Sequence, residues 1–192
     1  MAALMLLFLA AADHEACLAR YVHRAPTSGD KYFHAFDAAF IRVGAERNVD
    51  PALLKSIAWC ESRLYPCATS PAGARGLMQF IDQTWTSVAE AAEATDPYDP
   101  EHSIQAAGVY VAALINYWRG NIEAVVASYN AGPSAVARAI RRGRIVPRIA
   151  ETQDYVACVL GAYAHFGAPN RRTAVRSSST LFSLFGESAG GF

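Results

Sequence analysis

Glu61 is the residue whose type and position most directly suggest chemistry. It follows Leu54, Ile57 and Ala58 at spacings of seven, four and three residues, so it shares the apolar face of a helix predicted to begin at Pro51. A carboxyl group on a core-facing stripe is partly removed from water, which disfavours its ionised form and raises its pKa. Such a group can donate a proton near neutral pH, and the sequence therefore predicts a general acid at Glu61.

The loop that follows this helix strengthens the prediction. A carboxylate at a helix end more commonly pairs with a neighbouring cation, here Arg63 or Lys55, and position alone would favour that interpretation. Residues 70–76, "SPAGARG", instead supply the Ser, Pro and Gly typical of tight turns that bring the backbone close to another group. The loop leads directly into "GLMQF", which we predict to be helical.

Four strings in a fixed order resemble one known family. They are "ESRLYPCATSPAGARGLMQFIDQTW", "DPEHSIQAAGVYVAAL", "ASYNAGPSAV" and "ETQDYVACVL". Over residues 45–166 the chain resembles the soluble lytic transglycosylase (SLT) family of peptidoglycan-cleaving enzymes, related in fold to goose-type lysozyme. The resemblance implies a mostly α, lysozyme-like helical domain with a substrate groove. Ser103 and Ile81-Asp82 depart from the residues that the family often has there, and they bear on helix packing.

The resemblance assigns roles to individual residues. Glu61 takes the place of the single catalytic acid, and Ser70 that of a serine contacting the substrate N-acetyl group. Gln79 corresponds to a sugar-binding glutamine, and Tyr129 and Asn130 of "YNAG" to residues that line the groove. Together these side chains would supply the polar donors and acceptors that an N-acetyl sugar requires in an apolar groove.

Three more positions complete the candidate site. The resemblance brings Tyr155 close to the acid, and Ser62 and Met78 are further candidates for substrate contact. Each assignment has a structural alternative, such as a core position for Met78 or Tyr129 and a turn position for Ser70. We favour the core for Met78 and function for the polar side chains.

Glycosidic cleavage usually requires two carboxylates. Asp82, Glu123, Glu151 and Asp154 are candidates for the second, but none lies in a motif that demands catalysis, and the last two fit a helix start. The resemblance implies instead that Glu61 alone cleaves the β-1,4 bond between N-acetylmuramic acid and N-acetylglucosamine. The product would be a 1,6-anhydromuramic end, formed without metal or cofactor. A hydrolase of the goose-lysozyme kind and a glycan-binding structural component remain the alternatives.

Helices must position all of these residues, because apolar residues recur at three- and four-residue steps and strand patterns are nearly absent. Asp50-Pro51 and Asp99-Pro100 each place an N-cap acid before a proline, which fixes two helix starts. The predicted helices span residues 34–47, 51–62, 76–92, 100–119, 121–130, 133–142 and 149–166.

Charge excludes some classes of partner. Seventeen basic and seventeen acidic residues cancel, so no global field attracts nucleic acid, and no nucleic-acid partner is expected. Five arginines crowd the string "RAIRRGRIVPR" at residues 138–148. We favour a solvated helix face and turn there, with a contact surface for an anionic polymer or a partner protein as the alternative.

The four cysteines show no C-x-x-C pattern and predict no metal site. Cys60 and Cys67 flank the end of the acid-bearing helix and could form a disulfide, which would leave Cys17 and Cys158 as a long-range pair. Disulfides would fit an oxidising compartment, whereas buried free thiols are an equal alternative.

The two ends of the chain differ from the middle. Residues 1–33 contain an apolar run with an Ala-x-Ala site at 10–12 but no basic residue before it. We expect an N-terminal apolar helix or an uncleaved signal-like segment there, and a catalytic domain over 34–168. Residues 169–192 form a Ser-, Gly- and Phe-containing tail whose Leu181, Phe182, Leu184 and Phe185 would pack on the domain or dock on a protein partner.

The expected site of action is the peptidoglycan of the periplasm. Small domains of this family occur in bacteriophage particles that open the cell wall and as exported enzymes that serve secretion machines. The adhesive tail and the uncharged N-terminal region favour the virion-associated setting over the exported one.

Overall fold

A computed structural model describes residues 14–21 and 32–167. The predictions for the apolar run at 1–12 and for the tail at 169–192 concern residues outside these ranges. Residues 14–21 are helical, and seven further helices follow between residues 32 and 167. These are α1 (Asp37–Arg47), α2 (Pro51–Ser62), α3 (Asp82–Val88), α4 (Pro100–Tyr117), α5 (Ile122–Ala131), α6 (Pro133–Ile140) and α7 (Ala150–Phe166).

The predicted fold class is confirmed for the described residues, which contain helices, turns and only isolated β-bridges. Both predicted helix starts are also confirmed. The Asp50 carboxylate accepts a hydrogen bond from the Ala52 amide (2.9 Å), and the Asp99 carboxylate accepts one from the Glu101 amide (2.9 Å). These caps satisfy amides that lack a partner inside the helix, and they fix where α2 and α4 begin.

The predicted helix over 76–92 is wrong at both ends, because the helix in this part of the chain spans only Asp82–Val88. Gly76 (φ 76°) and Gln79 (φ 52°) have left-handed backbone conformations, which interrupt a right-handed helix. Arg75 and Phe80 instead exchange two backbone hydrogen bonds of 3.0 and 3.1 Å, which close a tight loop. Helix α3 begins only at Asp82, and the loop before it is free to line a cavity.

Helix α2 lies at the centre of the core. It packs against α7, α1 and α4, and it buries Leu53, Leu54, Ile57 and Ala58 almost completely. Full burial of a Leu or Ile side chain contributes about 1.5–3 kcal/mol. The helix that carries Glu61 is therefore held from several sides by the core itself.

The predicted Cys60–Cys67 pairing is wrong. The disulfides are Cys60–Cys158, which joins α2 to α7, and Cys17–Cys67, which joins residues 14–21 to the loop after α2. Cys60 lies on the side of α2 that meets α7, with its Cα 6.1 Å from that of Cys158. The turn after α2 carries Cys67 away from this side, which separates two cysteines that are close in sequence.

Gly76 allows the loop to approach the chain segment before α4. A Cβ atom at this position would lie 1.8 Å from the carbonyl oxygen of Pro97, far inside van der Waals contact. Gly73, in the same loop, has a similar φ of 81°, but a Cβ atom there would meet nothing within 4 Å. A substitution at Gly73 therefore introduces backbone strain alone, whereas a substitution at Gly76 introduces backbone strain and a steric collision.

The substitution Gly76→Ala should destabilise the protein by at least about 3 kcal/mol, because strain and collision add. Gly73→Ala, the matched control, should cost only about 1 kcal/mol, since strain acts alone. Denaturant unfolding of both variants measures the difference. Equal losses of stability would contradict the close packing of Gly76 on Pro97.

Candidate active site

A cavity of about 800 Å³ opens where the end of α2, the loop at 70–81 and the α5–α6 junction meet. Five of the residues predicted from the sequence line it: Glu61, Ser70, Gln79, Tyr129 and Asn130. The structure thus brings together side chains that are up to 69 positions apart in the chain. Both polar and apolar groups form the wall, as in most pockets for small polar ligands.

Glu61 lies in the last turn of α2, and its carboxyl group is largely removed from water. Its pKa is raised from 4.5 to about 7, and burial is the main cause. The Tyr155 hydroxyl acts in the opposite direction, and the nearby Glu151 carboxylate adds to the rise. A carboxyl group with this pKa is half protonated near neutral pH. It can therefore donate a proton and afterwards accept one.

The cations near Glu61 in sequence do not neutralise it. Lys55 pairs with Asp37 (Nζ to Oδ1 2.6 Å), and the Arg63 guanidinium lies 5.0 Å from the centroid of the Trp59 ring. Within residues 14–21 and 32–167, Glu61 has no ion pair shorter than 4.0 Å. The ion-pair alternative is thereby excluded for Arg63 and Lys55.

Tyr155 approaches Glu61 from α7. Its hydroxyl is buried and has no hydrogen-bond partner of standard geometry. It nevertheless lies near enough to the Glu61 carboxyl group to lower the pKa of that group. Burial, followed by the Glu61 charge, raises the pKa of Tyr155 well above its usual value. The phenol therefore stays neutral and is available as a hydrogen-bond donor behind the acid.

Ser70 closes the loop and still faces the cavity. Its Oγ accepts a hydrogen bond from the Ala74 amide (3.0 Å), and its own amide donates to the Ala74 carbonyl (2.9 Å). Because the hydroxyl serves as an acceptor within the loop, its proton remains available to a ligand in the cavity. The turn and functional interpretations of Ser70 are therefore compatible.

The amide nitrogen of Gln79 is fully used by the loop. Nε2 donates to the carbonyls of Gly76 (2.8 Å) and Ala68 (3.1 Å). Two carbonyl partners fix the orientation of the amide, since only the nitrogen end can donate. Gln79 therefore offers its Oε1 atom to the cavity, as an acceptor.

Helix α5 adds Tyr129 and Asn130. The Tyr129 hydroxyl donates to the Met78 carbonyl (2.9 Å), which ties α5 to the loop. Asn130 Oδ1 accepts from Thr152 (2.7 Å), and its Nδ2 donates to Glu151 (3.4 Å), so its amide is oriented by the first turn of α7.

Three predicted residues do not line the cavity. Met78 is fully buried, so the core interpretation of this side chain is confirmed and direct substrate contact is excluded in this conformation. The Ser62 hydroxyl donates to the Leu77 carbonyl (2.7 Å), where it supports the loop. Tyr155 is buried beside Glu61, as predicted from its approach to the acid, and its contact with a substrate stays a prediction.

Sequence reasoning missed several residues of the wall. Phe80 and Tyr110 place aromatic rings 6.2 and 5.5 Å from that of Tyr129. Glu151, one of the four candidates considered for a second carboxylate, also lines the wall. Tyr110 lies in "GVYVAAL", where its helical spacing resembles that of a core residue. Glu151 does occupy the first turn of α7, as predicted, but it also faces the cavity.

The described ranges contain no cluster of three or more His, Cys, Asp or Glu side chains arranged to hold a metal ion. No helix in the part of the chain that the structure describes is long and apolar enough to cross a membrane.

A family match agrees with this geometry. Residues 38–152 match the family described as Transglycosylase SLT domain. This match covers more than half of the 192 residues, and the chain belongs to that family.

Similar proteins from bacteria and a phage are known. A membrane-bound lytic murein transglycosylase F of Pectobacterium atrosepticum is 36% identical over 91 residues, which are 44% of this chain and 18% of the relative. The peptidoglycan transglycosylase gp16 of Escherichia phage T7 is 33% identical over 102 residues, which are 50% of this chain and 8% of the relative. The chain thus matches only a small part of these longer proteins.

Solved structures confirm the lysozyme-like fold. The 70 kDa soluble lytic transglycosylase of Escherichia coli superposes with a TM-score of 0.64 at 26% identity, over 69% of this chain and 24% of that one. A complex of the 70 kDa soluble lytic transglycosylase with bulgecin A gives a TM-score of 0.65 at 26% identity, over 73% of this chain and 26% of that one.

The raised pKa of Glu61 predicts a pH-dependent stability difference. Between pH 4.5 and about 7, the folded protein holds this proton more tightly than the unfolded chain does, so stability falls as pH rises. Glu61→Gln removes the cost of the buried charge. At pH 8.5 it should be more stable than the parent by up to about 3 kcal/mol, and at pH 4 the two should be equal.

Denaturant unfolding at both pH values measures this difference, and the exposed Glu90→Gln serves as the control. A stability difference that is the same at pH 4 and pH 8.5 would contradict the buried, protonated state of Glu61.

Proposed function

We propose that the protein is a peptidoglycan lytic transglycosylase that cleaves the β-1,4 bond between N-acetylmuramic acid and N-acetylglucosamine. One observation carries the proposal: a single carboxyl group with a pKa of about 7, Glu61, lies in the wall of a cavity large enough for sugar rings. The family membership of residues 38–152 supports the same reaction class.

Glu61 acts first as a general acid. In its protonated form it donates its proton to the glycosidic oxygen, so that N-acetylglucosamine leaves with a neutral hydroxyl group. Positive charge develops at C1 of the muramic acid, and the carbonyl oxygen of the substrate's own N-acetyl group stabilises it. The Ser70 hydroxyl, whose proton is free, can hold this N-acetyl group in place.

Glu61 then acts as a base. The carboxylate takes the proton of the muramic 6-hydroxyl group, whose oxygen bonds to C1 and closes the 1,6-anhydro ring. The proton that left Glu61 in the first step is thereby replaced, and no water is consumed. A pKa near neutrality suits both steps, because neither protonation state is strongly favoured before the substrate binds.

The polar side chains around Glu61 are oriented before the substrate arrives. Gln79 offers an acceptor and Ser70 a donor, and each is fixed by hydrogen bonds within the loop. The aromatic rings of Phe80, Tyr110 and Tyr129 supply an apolar surface for the faces of the sugars. This preorganisation lowers the entropy cost of binding.

A goose-lysozyme-like hydrolase is the second candidate, because Glu151 provides a further carboxylate in the same cavity. Glu151 could in principle hold an attacking water. Its Oε1 atom, however, accepts a hydrogen bond from Asn130, and this interaction occupies part of its acceptor capacity. The third alternative is a glycan-binding component of a larger assembly. Such a component needs no proton donor, so it does not account for the raised pKa of Glu61.

We propose action on peptidoglycan outside the cytoplasm, and the two disulfides support an oxidising compartment. The virion-associated setting is supported by the similarity to the phage T7 peptidoglycan transglycosylase. Similarity to a bacterial membrane-bound transglycosylase leaves the exported setting as the alternative. Docking of a protein partner through the tail at 181–185 remains a prediction.

Digestion of purified peptidoglycan in water enriched in ¹⁸O separates the two reactions. We expect 1,6-anhydromuramic ends without ¹⁸O, detected by mass spectrometry, and no product from Glu61→Gln. Glu151→Gln should still form anhydro ends. Reducing ends that carry ¹⁸O would identify a hydrolase, and full activity of Glu61→Gln would overturn both readings.

The Cys60–Cys158 disulfide should also matter for this function, because it clamps α2 beside Glu61 to α7 one turn after Tyr155. Its removal should let water reach Glu61, lower its pKa, and move the alkaline limb of the pH–rate profile to lower pH.

The second disulfide, Cys17–Cys67, provides the control for Cys60–Cys158. By loop-closure entropy, removing Cys60–Cys158 and Cys17–Cys67 should cost about 5 and about 4 kcal/mol respectively. The double serine variants are therefore compared at a temperature where both are folded. Only the Cys60→Ser/Cys158→Ser variant should shift the limb. If the alkaline limb lies at the same pH in both variants, the Cys60–Cys158 disulfide does not affect the pKa of Glu61.

A further inference from the structure

A second cavity, of about 600 Å³, lies at the far end of α6. We call it the arginine cavity, because Arg144 and Arg148 line it together with Ile140, Ile145, Val146, Gln153 and Glu123. It is separate from the cavity that contains Glu61, with which it shares no lining residue. The similarity to lytic transglycosylases does not assign a role to the arginine cavity.

The two arginines are not neutralised within the protein. Neither Arg144 nor Arg148 has an ion pair within 4.0 Å in the described ranges, and neither is a side-chain hydrogen-bond donor there. Arg144 is half-buried and Arg148 is exposed, and both residues line the cavity. Guanidinium groups prefer carboxylates or phosphates as partners, which they bind through paired hydrogen bonds.

The arginine cavity also contains groups of other character. Glu123 contributes a carboxylate, Gln153 contributes an amide, and Ile140 leaves 41% of its surface exposed at the edge. A ligand that fits this wall has at least one carboxylate, a cationic group, peptide-like hydrogen-bonding groups and short aliphatic portions. A short zwitterionic peptide has all four.

One helix, α6, contributes residues to both cavities. Pro133 and Ser134, at the start of α6, line the cavity of Glu61, while Ile140, at its end, lines the arginine cavity. At 1.5 Å per residue the eight-residue helix is about 12 Å long. An extended peptide of four residues spans about 13 Å. A peptide of four residues is therefore long enough to cover the length of α6, which separates the residues that line the two cavities.

We propose that the arginine cavity binds the stem peptide of peptidoglycan, the short peptide attached to N-acetylmuramic acid. This assignment rests on the proposed function. Arg144 and Arg148 pair with peptide carboxylates, and Glu123 pairs with the free ammonium group of the diamino acid. The enzyme would thereby prefer peptide-bearing glycan strands to bare ones.

The charges distinguish this ligand from other anions. A phosphate-rich polymer or an anionic membrane would interact with the exposed arginines but would be repelled by Glu123. The stem peptide carries both signs of charge and is already present in the substrate, so it needs no separate encounter.

Initial-rate measurements on two substrates test the proposal. One is purified glycan strands with their peptides, and the other is the same strands stripped by an amidase. For Arg144→Ala/Arg148→Ala we expect kcat/KM to fall roughly tenfold on peptide-bearing strands, mainly through KM, and to stay unchanged on stripped strands. Arg141→Ala/Arg142→Ala is the matched control, since it removes the same charge from exposed positions outside the cavity.

Glu123→Gln tests the zwitterionic part of the assignment. It should lower kcat/KM on peptide-bearing strands, and acetylation of the diamino acid should abolish this difference. An increase on peptide-bearing strands would show that the cavity binds a simple anion and would overturn the peptide assignment.

Equal losses on both substrates, or the same loss in the Arg141→Ala/Arg142→Ala control, would also overturn it. The proposed function fails separately, if the parent protein cleaves neither substrate. In that case the inactive Glu61→Gln protein, mixed with each kind of strand in a sedimentation assay, still reports whether the arginine cavity prefers peptide-bearing strands.

Discussion

The partial burial of one carboxyl group, that of Glu61, is the constraint on which the rest of the structure depends. A charged carboxylate beside the core is costly, and the chain could avoid the cost by placing a cation next to it. Lys55 and Arg63 are close enough in sequence but are engaged with Asp37 and Trp59. The group therefore responds by holding its proton more tightly, which is the property that acid catalysis requires.

The surrounding elements keep Glu61 in this environment. Helix α2 is fixed by its N-cap at Asp50, by its buried apolar face and by the disulfide from Cys60 to α7. The loop after α2 then turns back over the helix end, which Gly76 permits by its contact with Pro97. Stability and function are thus linked, because the packing that fixes α2 also holds Glu61 beside the core.

The sequence predicted those features that depend on local physics. The caps at Asp50 and Asp99 and the apolar face below Glu61 follow from helix geometry, and these predictions are confirmed. The sequence analysis predicts a helix that includes "GLMQF", but residues 76–81 form a loop. Left-handed conformations at Gly76 and Gln79 arise from tertiary contacts, which no local pattern reports. The disulfide pairing failed for the same reason, since it depends on which helices pack together.

Glu61 carries the central claim, and its protonation can be observed directly. With ¹³C label in the glutamate side chains, NMR spectra recorded across pH 3–10 give the titration of each carboxyl carbon, and Glu61→Gln identifies the signal of Glu61. The account predicts a midpoint near pH 7 for this signal. A midpoint close to 4.5, the ordinary value for a glutamate, would contradict it.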